Sequence, residues 1–352
     1  MRTLTGRRIA VVLFNLGGPD DQASVRPFLF NLFNDPAIIG LPGPVRTPLA
    51  RLISARREKA AQANYALMGG GSPLLPETRK QATALQQALA PRLPGDEVRV
   101  FVAMRYWSPL TEETAADVAV FGPDDIVLLP LYPQFSTTTT ESSLKRWNET
   151  YAGSGESRTV CCWPEARGWV EAQAAAIGEQ LDRAGERPVR VLFSAHGIPE
   201  ALVRRKGDPY QEQVGSTVAA VVARLGSMGR RVDHAICYQS RVGPLKWLGP
   251  STPEALEQAA ADGLGAVVVP IAFVSEHVET RVELDIEYGE LAHRLGVAPY
   301  LRVPAVATAP AFVTALAEAV LHGLTRTGVA PYGPGCRGDW KACPCQGEDR
   351  AA

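Results

Sequence analysis

Short apolar runs alternate with longer amphipathic stretches along almost the whole chain, and this alternation narrows the fold more than any other feature. The runs read as strands are Ile9–Phe14, Val98–Ala103, Ile126–Leu131, Thr159–Cys162, Val189–Phe193, His234–Cys237, Ala266–Ile271 and Tyr300–Val303. Between them the pattern predicts helices over Pro76–Ala90, Glu165–Ala184, Pro209–Leu225, Pro253–Asp262, Glu276–Leu295 and Pro310–Leu324. Strands apolar on both faces, spaced by helices, call for parallel sheets covered on both sides. Gly and Ser cluster near Tyr151–Ser157, which places a domain break there. The expected architecture is therefore α/β, two doubly wound domains with parallel sheets facing across a cleft.

With 352 residues, 46% hydrophobic and 21% charged, the chain is long enough for two domains with sizeable cores. A net charge of −1 gives no reason to expect nucleic acid as a partner. No run of about 18 apolar residues appears, so no membrane-spanning helix is expected. The basic stretch Met1–Arg8 leads into a short apolar run without a small-residue cleavage site, which reads as a first strand rather than a signal peptide. The expected compartment is the cytoplasm, where six cysteines point to metal binding or reactivity rather than disulfides.

Two strand ends carry chemistry. Ser194-Ala195-His196-Gly197-Ile198-Pro199 follows Val189–Phe193, and Ser275-Glu276-His277-Val278-Glu279 follows Gly265–Phe273. Ligands of open α/β sheets bind outside the carboxyl ends of the strands, so His196 and this second motif are expected to face one pocket. An imidazole beside carboxylates can bind a divalent metal or move protons. Glu279, Glu283 and Glu287 sit at i, i+4 and i+8 of the expected helix, on one face, over roughly 12 Å at about 1.5 Å per residue. A solvated acidic face is the ordinary reading of such a row. Its start beside His277 at a strand end favours a path for protons or a cation, with Asp285 pointing elsewhere.

Leu16, Tyr106, Trp107, Tyr132, Phe135 and Trp247 lie near turns after strands, where they would line a broad flat pocket. Asn15-Leu16-Gly17-Gly18-Pro19 lacks the full Gly-x-Gly-x-x-Gly pattern and gives little support to a nucleotide site. Residues 34–59 join an apolar, breaker-rich Ile38–Pro44 to Arg46, Arg51, Arg56, Arg57 and Lys59. Against a solvated helix stands an apolar lip with a basic shoulder, suited to an anionic membrane or to guarding an apolar ligand. Near the C-terminus Cys336, Cys343 and Cys345 fall within ten residues after Gly333-Pro334-Gly335. Thiolates select zinc or an iron–sulfur cluster, and either needs a fourth ligand, which Cys161 or Cys162 can supply. Successive strand residues face opposite ways, so one of that pair is expected to ligate. Cys237, inside a core strand, is expected to be buried and inert.

These motifs, in their order, resemble the ferrochelatases, enzymes that insert ferrous iron into protoporphyrin. The resemblance runs from about Ile9 to about Val320. It is carried by Asn15–Pro19, Gly69-Gly70-Gly71-Ser72-Pro73, Met104-Arg105-Tyr106, Leu131–Ser136, Ser194–Pro199, Tyr238-Gln239-Ser240-Arg241-Val242-Gly243-Pro244, Trp247-Leu248-Gly249-Pro250, and Phe273–Thr280 leading into Glu283–Tyr288. It implies two Rossmann-like, chelatase-type domains: 1–157 with a porphyrin lip at 34–59, 158–305 carrying His196 and Glu279, a C-terminal helix at 306–330 packing back on the first domain, and a Cys-rich tail at 331–352. By the same resemblance His196 and Glu279 are the catalytic pair at which Fe2+ is handled. His277, Glu283 and Glu287 are the proton or metal path, and Leu16, Arg105, Tyr106 and Trp247 bind porphyrin. Some ferrochelatases carry a C-terminal [2Fe–2S] cluster on four cysteines. Cys336, Cys343 and Cys345 look like three of its ligands, and Cys162 is preferred to Cys161 as the fourth for its place nearer the Trp163-Pro164 turn. The implied partners are protoporphyrin IX and Fe2+, with peripheral contact to the inner membrane through the lip. Leu16, where some relatives carry Met or Tyr, leaves porphyrin orientation open, and Glu276 stands where many have Asp. The competing readings are a chelatase for coproporphyrin or another tetrapyrrole, and a tetrapyrrole-binding protein without catalysis.

Overall fold

A computed structural model describes residues 6–241, 245–333, 336–337, 340–345 and 350–351. Val242–Pro244 of the Tyr238–Pro244 motif lie outside the described residues, as do the side chains of 336–337 and 350–351. The elements in chain order are β1 (Arg8–Asn15), α1 (Val25–Phe33), α2 (Gly43–Ala66), α3 (Leu74–Leu89), β2 (Glu97–Met104), α4 (Thr111–Phe121), β3 (Asp125–Pro130), α5 (Thr140–Thr150) and β4 (Glu156–Val160). They continue as α6 (Arg167–Ala184), β5 (Val189–His196), α7 (Glu200–Lys206), α8 (Tyr210–Ser227), β6 (Asp233–Gln239), α9 (Thr252–Ala261), β7 (Gly265–Pro270), a π-helix (Glu279–Glu287), α10 (Tyr288–Leu295), β8 (Tyr300–Arg302), α11 (Pro310–Leu324) and β9 (Val329–Ala330).

The chain divides into two compact units. The first comprises residues 1–162 and 316–332, the second 163–315 and 333–352. The main sheets are parallel, ordered β2-β1-β3-β4-β9 in the first unit and β6-β5-β7-β8 in the second, which also has a two-stranded parallel pair, Cys336–Arg337 with Arg350–Ala351. The α/β class read from the alternation is the class observed.

In the first unit β1 is apolar from Ile9 to Phe14 because both of its faces are covered. Ala10, Val12 and Phe14 join Ala115, Val118 and Phe121 of α4 and Leu144 and Trp147 of α5 in one core. On the other side Gly323 of α11 lies so close to Val127 and Val160 that a Cβ would sit 3.2 and 3.1 Å from their methyls. In the second unit Leu192, Cys237, Ala266 and Val268 pack against Ala255 and Leu256 of α9, Leu284 of the π-helix and Ala292 of α10. The thiol of Cys237, 0% exposed, is pushed up to about 11, chiefly by burial. Ser251 caps α9 through a reciprocal pair with Glu254, and Gly296 ends α10 at φ 75°.

Three local readings are corrected. Thr159–Cys162 does not open the second domain: its strand is Glu156–Val160, which pairs with β3 and β9 in the first sheet. Cys161 and Cys162 lie past its end, so the alternation of a pleated strand does not separate them, and their sulfurs sit 3.7 Å apart. Glu276–Leu295 is not one α-helix: its first nine residues from Glu279 wind as a π-helix, and Tyr288–Leu295 completes it as α. Helices α1, α4, α5 and α7 had no counterpart in the sequence pattern, and α2 extends the basic shoulder of the lip to Ala66.

Candidate active site

In the second unit the chain leaves β5 for β6 on one side and returns to β7 on the other. The strand order reverses at β5/β7, the place where open α/β sheets bind ligands. His196 is the last residue of β5, in register with Gln239, the last of β6. The loop after β7 brings His277 and Glu279 to the same end. His196 Nδ1 lies 2.7 Å from Glu279 Oε2, and His277 Nε2 approaches the same oxygen at 3.8 Å. The sequence motifs at the two strand ends thus meet at one carboxylate oxygen.

This approach is built into the backbone. Gly197 N–H donates to the Gln239 carbonyl at 2.8 Å. A Cβ on Gly197 would stand 2.9 Å from that oxygen, 3.2 Å from Arg241 Cγ and 3.5 Å from Trp247, so the turn leaving β5 has room only for glycine. Gln239, fully buried, is the hub behind the pair. It accepts the Ser194 hydroxyl at 2.8 Å and donates to the Glu279 carbonyl at 3.0 Å and to Glu283 Oε2 at 3.1 Å.

Glu283 is held from several sides. Ser240 N–H donates to Oε1 at 2.7 Å, the Ser240 hydroxyl donates to Oε2, and the Tyr288 hydroxyl donates to Oε1 at 2.7 Å. Ser240 takes φ 61°, a conformation rare outside glycine, which lets its N–H and hydroxyl grip one carboxylate. Gln239, Ser240 and Tyr288 were not singled out as site residues in the sequence. The one available signal was their place inside motifs already noted.

The electrostatics follow. Burial opposes a charge on His196, but the Glu279 carboxylate, with Glu283 behind it, outweighs burial and lifts the imidazole above its usual value. Burial would likewise raise Glu279. The charge and hydrogen bond of His196 and the nearness of His277 overcome it and hold that carboxyl far below the usual range. Glu287, at the outer end of the row, is raised by burial and by the Glu283 and Glu290 charges. Asp285 turns away from this row to Arg302.

The ferrochelatase family model matches residues 8–324 of this chain. A curated ferrochelatase of Caulobacter vibrioides is 58% identical over 344 residues, covering 97% of this chain and 98% of the relative. One of Phenylobacterium zucineum is 59% identical over 341 residues, covering 96% and 98%. The chain belongs to the ferrochelatase family. It is a metal chelatase of haem biosynthesis, and the family implies a porphyrin and iron as substrates.

The remaining residues tied to ferrochelatases by resemblance fall in both units. Trp247 is in the second, where its segment bridges Pro199 just past His196. Leu16, Arg105 and Tyr106 are in the first, at the carboxyl ends of β1 and β2, and the Tyr106 N–H donates to the Leu16 carbonyl at 3.0 Å. Tyr106 is only 1% exposed and its hydroxyl donates to buried Asp35 at 2.8 Å, so it anchors that carboxylate and presents no surface of its own. Arg105 reaches Asp35 at 2.7 Å and Ser142 at 2.8 Å. Asp35 in turn accepts the Ala37 N–H at the root of the lip. On the lip Ile38, Leu41, Val45 and Leu52 are exposed, and Arg46 donates to the Asn34 and Leu41 carbonyls. No described helix is long and apolar enough to cross a membrane.

In the tail Cys343 and Cys345 are buried. Their loop is fixed by Cys343 N–H to the Trp340 carbonyl at 3.0 Å and Ala342 N–H to the Gly207 carbonyl at 3.2 Å. The side chain of Cys336 lies outside the described residues. Among the described residues no three His, Cys, Asp or Glu side chains converge to hold a metal ion.

Proposed function

We propose that this ferrochelatase inserts Fe2+ into protoporphyrin IX, with His196 as the proton acceptor and Glu279 as its charge partner. The observation that carries this reading is the 2.7 Å contact between His196 Nδ1 and Glu279 Oε2 at the strand-order switch. With Nδ1 turned to the carboxylate, Nε2 is the ring nitrogen left for substrate, and 41% of the side-chain surface stays accessible. Metal enters the plane of the macrocycle once a pyrrole tilts out of it and the two pyrrole protons leave, so a pocket that prefers the distorted ring favours insertion. Nε2 takes the two pyrrole protons one after the other, passing the first to solvent before it takes the second, and the Glu279 carboxylate stabilises the imidazolium formed each time, an arrangement that stabilises the transition state more than the ground state. Fe2+ as substrate suits the same imidazole and carboxylate oxygen.

The row beyond divides its work. Both oxygens of Glu283 are taken by donors, so it serves as a fixed negative pole, and Glu287, raised and exposed, exchanges protons or cations with solvent. His277 steadies the Glu279 oxygen from its far side. Leu16, Arg105 and Trp247 contribute to porphyrin binding, and the apolar lip admits the macrocycle and rests on the inner membrane from the cytoplasmic side.

The decisive assay is anaerobic incubation with Fe2+ and protoporphyrin IX, following loss of porphyrin fluorescence over many turnovers. His196→Ala is expected to bind porphyrin and fail to metallate it. Normal turnover by that variant would overturn the reading, and metallation of coproporphyrin alone would reassign the substrate.

For the tail cysteines we propose a [2Fe–2S] cluster. Cys343 and Cys345 are buried sulfur donors two residues apart on a hydrogen-bonded loop, a soft donor set of the kind iron–sulfur centres use. With Cys336 and Cys162 they would make four thiolates, and the cluster would tie the tail down. Cys162 is the preferred fourth, with Cys161, its sulfur 3.7 Å away, as the alternative. Cys343→Ser is expected to abolish visible iron–sulfur absorption of the purified protein, and an unchanged spectrum would exclude this ligand set.

A further inference from the structure

A nine-residue π-helix is an uncommon thing for a chain to keep. Such windings are rare, mostly single turns, and gather at functional sites. Something outside the helix has to hold this one open, and the contacts on the face away from His196 show what does. Arg302, on the edge strand β8, spreads its guanidinium between two carboxylates. Nε and Nη2 donate to the two oxygens of Asp285, in the middle of the π-helix, the second at 2.8 Å. Nη1 donates to Glu276 Oε1 at 2.6 Å, three residues before the helix begins. Glu276 is pinned further by the Ala305 N–H at 3.0 Å, and Arg281 approaches its other oxygen at 3.7 Å. From the same strand the Tyr300 hydroxyl donates to the Leu284 carbonyl, and its ring lies against Gly289 just past the π-helix.

We propose that Arg302 is a positioning residue for metal insertion: by tying Asp285 to Glu276 it fixes where the π-helix starts and how it is wound, and so sets Glu279 on His196 and Glu283 on Ser240. The geometry makes this specific. A single guanidinium grips the segment leading into the helix and the helix itself, so any slip of one against the other breaks a fork bond. Only 11% of the Arg302 side chain is exposed and 7% of Glu276, so at that bond solvent does not substitute for a lost partner, while Asp285, 34% exposed, is the wetter end of the clamp. The carboxylates used by the clamp, 276 and 285, bracket along the chain those used by the site, 279 and 283. Sequence alone shows one acidic run. The fold sorts it into two sets facing opposite ways. The inference rests on the reading of His196 and Glu279 as the catalytic pair.

The test compares wild type, Arg302→Met, Arg302→Lys, Asp285→Asn and His196→Ala. Each is assayed for kcat, for KM toward porphyrin and Fe2+, for porphyrin affinity by fluorescence titration, and for amide hydrogen exchange over 279–295. Arg302→Met is expected to lose about 10- to 100-fold in kcat, the loss that accompanies misplacement by about an ångström. Its porphyrin affinity should be unchanged, and its exchange should accelerate over 279–287 while β5 and β6 keep wild-type protection. Arg302→Lys keeps the charge without the fork and should recover part of kcat. Asp285→Asn leaves the Arg302–Glu276 pair in place, so it folds even where Arg302→Met does not, and should show a smaller loss of kcat with the same local exchange. Wild-type kcat in either folded Arg302→Met or Asp285→Asn overturns the proposal, as does a matching loss of porphyrin affinity. An active His196→Ala would instead remove the catalytic reading on which the clamp depends, a result the Arg302 variants alone cannot produce.

Discussion

Replacing Asp35 by asparagine changes one oxygen for an NH2 at the root of the lip, and the structure sets the size of the effect. The Asp35 carboxylate accepts four donors: Ala37 N–H at 2.8 Å, Tyr106 hydroxyl at 2.8 Å, Ser142 hydroxyl at 2.6 Å and Arg105 Nη2 at 2.7 Å. Three of these converge on Oδ2. Turned either way, the new amide presents its NH2 to at least one of them. The hydroxyls of Tyr106 and Ser142 can rotate, but the guanidinium cannot become an acceptor. Breaking a buried ion pair from one side costs about 3–5 kcal/mol. Arg105, with 18% of its side chain exposed, keeps some access to water and places the loss near the lower bound, about 3 kcal/mol. For a unit of this size each kcal/mol moves the melting temperature by about 2–4 °C, so calorimetry at pH 7 should show a drop of about 6–12 °C.

The pH dependence gives a sharper check on the same residue. Burial would raise the Asp35 carboxyl, but Ser142, Ala37, Arg105 and Tyr106 together hold it below its usual value. A carboxyl lowered in the folded state lends stability that is present above its unfolded value, about 3.9, and is lost as pH falls through the folded one. The gap between wild type and Asp35→Asn should therefore be full at neutral pH and close below about pH 4. An equal melting temperature at pH 7, or a gap that persists into acid, would refute the assignment of this carboxylate as an ionised hub.

Two other perturbations address the active site. Glu279→Gln removes the charge that chiefly lifts His196 and leaves burial opposed only by Glu283, so the acidic limb of kcat/KM should move to lower pH as turnover falls; a limb that stays in place would mean that another group titrates there. Gly197→Ala forces a methyl to within 2.9 Å of the Gln239 carbonyl and is expected to destabilise by about 1–3 kcal/mol, read as a lower melting temperature together with loss of turnover; wild-type values of both would show that the turn has slack.

Much of the fold is written in the chain itself. The parallel strands announce themselves because a strand covered on both faces must be apolar throughout, as Ile9–Phe14 and Ala266–Ile271 are, and because only a helix-length crossover joins parallel neighbours. His196 and Glu279 are legible because each lies in a motif at the carboxyl end of such a run, where α/β ligands bind. Polar helices were the hardest to see: α4 and α5 bury Thr111, Thr114, Ser142 and Ser143 alongside their apolar residues, which blurs the 3.6-residue pattern.

Other features belong to the tertiary structure alone. That Glu156–Val160 belongs to the first sheet depends on pairing with β3 on one side and, on the other, with β9, contributed from about 170 residues further on, which no local pattern encodes. The π-helix is a choice between two windings of one sequence, decided by side chains from β6 and β8 that grip it from opposite faces. The sorting of acidic residues is decided the same way. Residue type supplies a run of carboxylates, but whether each becomes the partner of His196, a fixed anion or half of a clamp is set by the donors that surround it, and those donors come together only when the sheet closes.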